Sequence, residues 1–560
     1  MPRSLPLISL CAALALSGCT SPPAGDTLSA SPAPLVAPTG PPKLIVAIAV
    51  DQFSADLFAQ YRKHFSGGLA RLQQGAVFPS GYQSHAASET CPGHSTILTG
   101  AHPSRSGIIA NNWYDPAQTR ADKRVYCAED ETNPASNSRD PVVSAVHLRV
   151  PTLGDRLKAA NAASRNVAVS AKDRATVMMG GHAIDAAYWW KKDQFVTFAG
   201  MAPVPAAAAA NAAAARVLAA GAPALSAPAW CGARGRALTA GTVTLGAGRF
   251  ALATNQPDAF RVSPRMDAAT GALAIGLVDA MKLGRGSATD VLSVSFSATD
   301  YIGHAVGSEG MEMCIQMAEL DRTIGALLAH LDSAGIDYAV VLTADHGGLD
   351  TPERLDEQAL PGAARVDKAL LAGTLGRAVA AATGISVTGP LVYADGPFGD
   401  FWFDRTLTSA QKASATGALV RILKAHPQVA AVFTAAELAE APPPAGSPQD
   451  WTLKDRARAA FDARRSGDVV MLLARAVVPI PDPLPGYTAT HGSAWDYDRR
   501  VPTLFWRKGL AGFEQPAPVD TVDIAPTLAA LIGLAVPEGA FDGRCLDIDG
   551  GPGNTGGAVK

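Results

Sequence analysis

Leu44-Ile45-Val46-Ala47-Ile48-Ala49-Val50 is a continuous apolar, partly β-branched run that stops at a carboxylate, Asp51. An apolar run without polar alternation is the pattern of a central strand covered on both faces. Similar runs recur at 166–170, 291–296, 338–342 and 501–506. Helical patterns lie between several of them. The clearest spans 309–334, where Ile315, Leu320, Ile324, Leu327, Leu328 and Leu331 recur at helical spacing before Gly335. Strands alternating with helices predict an α/β fold, a central largely parallel sheet flanked by helices on both faces. Ligands of such sheets collect at the carboxyl ends of the strands, and Asp51, Lys172, Asp300 and Asp345 all stand there or within a few residues.

The 560 residues, 48% of them hydrophobic, suffice for a large core and for more than one structural layer. With 47 basic and 50 acidic residues and a net charge of −3, the chain has neither a nucleic-acid surface nor a polybasic membrane patch written into its composition. At the amino end Arg3 precedes a short apolar segment, 5–16, that ends in small residues, the form of an export signal over 1–19. It is too short to span a membrane as a helix. Leu16-Ser17-Gly18-Cys19 resembles the bacterial lipobox; the two outcomes, a lipid-anchored amino terminus or a released protein, both place the product outside the cytoplasm, whether periplasmic, outer-membrane-anchored or secreted. Residues 20–42, rich in Ser, Pro, Ala and Gly, read as a flexible linker, and the folded domain runs over 43–560. Two regions within it, about 185–285 with its alanine-rich run and about 352–487 with Ala441-Pro442-Pro443-Pro444, read as insertions that cap a site or decorate the surface. The glycine-rich end 550–560 reads as disordered. Once the leader is removed Cys91, Cys127, Cys231, Cys314 and Cys545 remain, an odd number that allows one or two disulfides and lacks the paired spacing of a structural zinc site.

The chemistry is centred on Glu89-Thr90-Cys91-Pro92-Gly93-His94-Ser95-Thr96. Thr90 offers a hydroxyl nucleophile just before an apolar helical run; the plain alternative is an N-cap. A threonine hydroxyl needs a base or a bound cation to act as a nucleophile. Asp300-Tyr301-Ile302-Gly303-His304 sets a carboxylate and an imidazole four residues apart, Asp345-His346-Gly347-Gly348 sets two ligands side by side, and His491-Gly492-Ser493 adds a third piece. Each is weak alone, but only 11 histidines occur in the chain and three fall in this pattern. Mixed carboxylate and imidazole ligands without thiolates suit zinc ahead of iron, manganese or cobalt. Asp51, Asp300, His304, Asp345, His346 and His491, with Thr90, are enough for two ions. Two-metal sites hold their ions about 3.5–4 Å apart and clamp the oxygens of an in-line displacement, which fits phosphoryl transfer.

The order Asp51, Thr90-x-Pro-x-His, Asp300-x-x-Gly-His, Asp345-His346 and His491-Gly resembles the alkaline phosphatase superfamily, as does the ending Val522-Asp523-Ile524-Ala525-Pro526-Thr527-Leu528. The resemblance implies an alkaline-phosphatase-like core with inserted cap regions. It implies two Zn2+ per chain, one held by Asp300, His304 and His491 and the other by Asp51, Asp345, His346 and the Thr90 oxygen, with His94 structural. Asn111 resembles the asparagine that touches a phosphoryl oxygen, and Lys172-Asp173-Arg174 resembles the lysine and arginine pair of the threonine-nucleophile, PafA-like alkaline phosphatases of the Sphingomonas type. A monoester carries more charge than a diester, so two added cations favour it. The implied activity is hydrolysis of small phosphate monoesters to an alcohol and inorganic phosphate through a phosphothreonine, outside the cytoplasm. Its rivals are a nucleotide pyrophosphatase/phosphodiesterase on the same two zincs and a non-catalytic zinc-binding surface lipoprotein. No carboxylate set matches the third, magnesium site of the serine-type enzymes, and an accessory Ca2+ or Mg2+ stays open. Sulfatases need Cys or Ser where Thr90 stands and Arg where His94 stands, which leaves that activity at most a side reaction.

Overall fold

In the computed structural model, which describes residues 40–358 and 360–549, the sheet is built around Leu44–Val50 (β1), every residue of which is buried. The expected leader 1–19, the linker up to residue 39 and the end 550–560 lie outside the described residues. The other strands of this sheet are β2 (Ala76–Tyr82), β3 (Asn166–Ser170), β4 (Ala186–Lys191), β5 (Gln194–Val196), β6 (Asp290–Phe296), β7 (Tyr338–Thr343), β8 (Arg500–Arg507), β9 (Phe513–Glu514) and β10 (Val519–Asp520). They lie in the order β9-β2-β8-β7-β1-β6-β3-β4-β5, with β10 paired to β2. The central run is parallel, β1 pairing with both β6 and β7, β6 with β3, and β3 with β4. The expected parallel sheet is therefore present, with β8 antiparallel to β7 and β2, and β5 antiparallel to β4.

Alternate residues of β1 explain why it is apolar throughout. Leu44, Val46, Ile48 and Val50 pack into one core with Leu273 and Leu277 of the helix Pro264–Ala280 and Ile324 and Leu328 of the helix Met311–Ser333. Ile45, Ala47 and Ala49 face a second core with Ile97 and Leu98 of the helix Thr90–Thr99 and with Leu528 of the helix Ile524–Leu531. A strand sandwiched between helix layers has no solvent face to make polar.

Within 185–285, β4 and β5 extend the main sheet, and the alanine-rich run forms the helix Pro205–Ala220. Within 352–487 a separate four-stranded sheet forms, in the order Val392–Tyr393, Gly399–Phe403, Val469–Leu473, Val429–Thr434. Val379 of the helix Ala372–Thr383 and Leu419 of the helix Ser409–Lys424 pack on Phe401 and Met471 of that sheet in a core of its own.

Five cysteines were expected to give one or two bridges, and among the described residues there are two, Cys91–Cys127 and Cys231–Cys314, with Cys545 free. The helix Thr90–Thr99 approaches the end of β7 so closely that a Cβ on Gly93 would overlap the backbone carbonyl of Asp345. That contact sets how near Thr90 comes to Asp345. Overpacking of this kind costs roughly 1–3 kcal/mol, so Gly93→Ala should lower the thermal midpoint and reduce turnover together. Gly232→Ala, where a Cβ meets open space and φ is not positive, should leave the melting curve unchanged.

Candidate active site

Neighbouring strands β7, β1, β6 and β3 end along one line, and each hands a functional residue to it. Asp51 follows β1 and Asp345-His346 follow β7. Asp300 and His304 lie one turn apart on the helix Ala298–Val306 that follows β6. Lys172 and Arg174 stand at the entry of the helix Asp173–Gly180 that follows β3. His491 comes from a loop, and Asn111 immediately precedes the short strand Asn112–Tyr114. The chain leaves β1 through a left-handed turn at Gln52, φ 65°, a conformation a non-glycine residue holds only when its surroundings impose it. Here the Gln52 N–H donates to Asp345 Oδ1 at 3.1 Å, and its side chain fills the space that Gly303 and Gly348 leave open.

Three imidazoles share one arrangement. His346 Nδ1 faces the carbonyl of Gly347 at 2.9 Å, His304 Nδ1 that of Ala489 at 2.9 Å, and His491 Nδ1 that of Ser88 at 2.7 Å. A nitrogen facing a carbonyl must carry the proton, which leaves each Nε2 with a lone pair. All three Nε2 atoms point at carboxylates: His304 and His491 lie 3.3 Å from Asp300 Oδ1, while His346 lies 3.2 Å from Asp345 Oδ2 and 3.5 Å from Asp51 Oδ1. A backbone carbonyl on Nδ1 with Nε2 left free is how metal-binding histidines are oriented.

His94 differs. Its Nδ1 lies 2.9 Å from the Thr90 carbonyl and 3.0 Å from Asp345 Oδ2, and its Nε2 lies 2.9 Å from Ser295 Oγ. Proximity alone groups it with Asp51 and Asp345, and groups His346 with Asp300 and His491. The proton its Nδ1 needs for the Thr90 carbonyl makes His94 a hydrogen-bond donor there, and His346 is the imidazole whose lone pair reaches both Asp51 and Asp345.

The donor set fits divalent cations. Asp51 Oδ1, Asp300 Oδ1 and His346 Nε2 are buried without a hydrogen bond, atoms that a protein leaves unsatisfied only at cost. Burial, then Asp300 and Asp345, push the Asp51 carboxyl well above the usual carboxylate range. Asp300 is buried too, but His304 and Lys172 hold it well below that range. Burial takes His346 down to about 3 and lowers His491, so both rings are neutral, the form that binds a metal. Two buried groups of carboxylates and imidazoles thus fit a two-metal site.

Thr90 is the first residue of its helix, with Glu89 at the N-cap position, so its hydroxyl is not used as a cap. Instead Thr90 Oγ1 lies 3.4 Å from both Lys172 Nζ and Arg174 Nη2. Lys172 sits deeper than a residue that meets only substrate: its ammonium is 2.7 Å from Asp51 Oδ2 and 2.5 Å from Asp300 Oδ2. Burial works against that charge, but the two carboxylates outweigh it and raise its pKa. Asn111 accepts the Cys91 N–H through Oδ1 at 2.8 Å, which leaves its NH2 as the end available to an anion. From Asn111 and Arg174 a cleft of about 430 Å³ opens past His304, His491, Phe398 and Tyr487.

Sequence reasoning passed over Glu89, whose Oε2 accepts the Asn111 N–H at 2.8 Å, and Tyr126, whose hydroxyl donates to Asp173 at 2.5 Å. Glu89 could have been noticed as a carboxylate next to Thr90. Tyr126 carries no local signal, because only the fold brings it to Asp173.

The family described as type I phosphodiesterase / nucleotide pyrophosphatase matches residues 45–494. The chain is 52% identical over 514 residues to alkaline phosphatase PhoK of a Sphingomonas species, covering 91% of this chain and 92% of that protein. It is 49% identical over 514 residues to alkaline phosphatase PhoD of Zymomonas mobilis, covering 90% and 88%. The crystal structure of alkaline phosphatase PafA superposes with a TM-score of 0.77 at 24% identity, covering 92% of this chain and all of that one, a likeness of fold. The chain therefore belongs to the type I phosphodiesterase / nucleotide pyrophosphatase family of the alkaline phosphatase superfamily and is an enzyme of its alkaline phosphatase group.

Proposed function

We propose that the chain is a zinc-dependent alkaline phosphatase that hydrolyses phosphate monoesters outside the cytoplasm through a phosphothreonine at Thr90. The observation that carries this reading is the Thr90 hydroxyl, set at a helix start beside the carboxylate–imidazole groups and 3.4 Å from two cations, Lys172 and Arg174. Asp51, Asp345 and His346 would hold one ion next to Thr90, and Asp300, His304 and His491 the other. Bound there, zinc supplies Lewis acidity that lowers the pKa of a hydroxyl and offsets charge on a leaving oxygen.

The protein's own part is positional and electrostatic. Thr90 gives up its hydroxyl proton to solvent and Oγ1 attacks phosphorus as the bond to the ester oxygen breaks; the departing oxygen takes a proton from solvent and leaves as the alcohol, and the amide dipoles at the start of the Thr90 helix favour negative charge on Oγ1. Arg174, Lys172 and the Asn111 NH2 donate to the non-bridging oxygens, where transition-state charge is spread. Water then attacks phosphorus from the opposite side, its oxygen bonding to phosphorus as the bond to Thr90 Oγ1 breaks and one of its protons passing to Oγ1, and inorganic phosphate leaves through the cleft. Two disulfides support the export reading, since such bridges persist in oxidising compartments.

The family description keeps a phosphodiesterase on the same core as the second reading. Lys172 and Arg174 separate the two, because a diester lacks one of the charged oxygens they would meet. Charge-assisted hydrogen bonds contribute roughly 1.5–3 kcal/mol each, so Lys172→Ala with Arg174→Ala should lower kcat/KM for p-nitrophenyl phosphate by roughly 100- to 10,000-fold. The loss on bis-p-nitrophenyl phosphate should be far smaller, at zinc content checked by elemental analysis. Arg174→Ala alone, which leaves Lys172 with Asp51 and Asp300, should follow the same direction. Equal losses on both esters would show that the pair supports the fold or the site generally, and no loss on either would favour the phosphodiesterase.

The ligand assignment is tested by metal analysis. Chelation should abolish turnover and zinc restore it, with about two ions per chain. His346→Ala should weaken binding of one ion by at least about 10- to 100-fold, the range seen even for groups one shell further out. His94→Gln should retain both ions; loss of an ion there, with retention in His346→Ala, would exchange the two histidines' roles.

A further inference from the structure

Asn111 is gripped by the residues on either side of Thr90. Its N–H donates to Glu89 Oε2 at 2.8 Å, and its Oδ1 accepts the Cys91 N–H at 2.8 Å. Its carbonyl accepts the Cys127 N–H at 3.0 Å, the first rung of a hairpin that pairs Asn112 with Tyr126, Trp113 with Val125 and Tyr114 with Arg124. The hairpin thus begins at Asn111 and returns to Cys127, and Cys127 is disulfide-bonded to Cys91, the residue after Thr90. Both cysteines are wholly buried.

The same return strand reaches the cationic side. The Tyr126 hydroxyl donates to Asp173 Oδ1 at 2.5 Å, and that oxygen also accepts the Arg174 N–H at 2.7 Å. Asp173 is thereby fixed at the turn that presents Lys172 and Arg174. From the two strands of the hairpin, Asn112 Nδ2 lies 3.0 Å from Asp395 Oδ2, and Arg124 pairs with the same carboxylate, on the wall of the cleft. One short hairpin therefore touches the nucleophile's neighbours, the amide and the guanidinium that face a phosphoryl group, and the cleft wall.

We infer that the Cys91–Cys127 bridge and Tyr126 are positioning residues for phosphoryl transfer: they hold the 111–127 hairpin so that the Asn111 amide and the Arg174 guanidinium converge on the Thr90 hydroxyl. The inference rests on the reading of Asn111 and Arg174 as phosphate-binding groups. A bridge between the residue beside the nucleophile and the residue hydrogen-bonded to Asn111 removes the hinge motion that would part them. The second bridge, Cys231–Cys314, joins a different pair of elements and touches none of these groups, so it provides a control for stability alone.

The test compares Cys91→Ala/Cys127→Ala with Cys231→Ala/Cys314→Ala in the zinc-loaded protein. Both pairs should lower the thermal midpoint. Only the first should lower kcat/KM for p-nitrophenyl phosphate, by roughly 10- to 100-fold at unchanged zinc content, the scale expected when a reacting group is displaced by about an ångström. Its loss should be less than additive with that of Asn111→Ala, because the bridge acts through Asn111. Should the first pair fail to fold, Tyr126→Phe keeps the ring and removes only the hydroxyl; its loss should be less than additive with that of Arg174→Ala. Wild-type kcat/KM in both the first pair and Tyr126→Phe, equal losses in the two cysteine pairs, or fully additive losses would overturn the inference. If Asn111→Ala itself costs nothing, the phosphate-binding reading of Asn111 falls, and this inference with it; if Asn111→Ala is costly and the bridge is not, only this inference falls.

Discussion

Three carboxylates, Asp51, Asp300 and Asp345, are buried together at the ends of adjoining strands, and the surrounding structure is shaped by that concentration of charge. Burying an ion costs several kcal/mol in practice, and like charges side by side add to it. The Lys172 ammonium offsets part of the cost by bridging Asp51 and Asp300, and the three imidazoles turn their Nε2 atoms towards the same carboxylates. Such a cluster is stable as a place for divalent cations and costly as anything else. The parallel sheet makes it attainable: three backbone-paired strands, β7, β1 and β6, bring residues from positions 51, 300 and 345 to one line without any long side chain having to reach.

Backbone carbonyls do the remaining orientation. Gly347, Ala489 and Ser88 each fix the tautomer of one histidine, so the direction of each lone pair is decided by the main chain. Small residues then allow the approach. Gly93 lets the Thr90 helix lie against Asp345, and Gly303 and Gly348 admit the Gln52 side chain from a left-handed turn. A threonine hydroxyl on the first turn of a buried helix, with Lys172 and Arg174 facing it, is the outcome of these contacts.

The central strands were legible in the sequence because a strand buried on both faces is a plain apolar run, as 44–50, 291–296 and 338–342 are. β2 was not. Its sequence Ala76-Val77-Phe78-Pro79-Ser80-Gly81-Tyr82 breaks at Pro79 and Gly81, where its pairing with β8 shifts register. Nor does the apolar run 501–506 carry its direction, since an antiparallel and a parallel buried strand look alike until the connections are known. Asp51, Thr90, Asp300, His304, Asp345, His346 and His491 stood out by residue type and by their places after strands, and the fold brings all of them together. How they divide between two groups was less legible: His346 approaches both, and His94 lies among them, because side-chain reach and tautomer are properties of the folded site. Lys172, expected against substrate, also neutralises Asp51 and Asp300. The hairpin that holds Asn111 left no trace, since its contacts with Glu89, Cys91 and Asp173 join segments far apart in the chain.

The central claim is that the Thr90 oxygen is the atom that takes up phosphate. The most direct measurement is rapid acid quench of the zinc-loaded protein during turnover of a phosphate monoester, followed by proteolysis and mass spectrometry of the peptide that contains residues 89–96. The account predicts phosphate on Thr90, formed at a rate compatible with turnover and missing in Thr90→Ala, with serine at that position carrying it in part. Phosphate on another residue, or full turnover by Thr90→Ala, would contradict it.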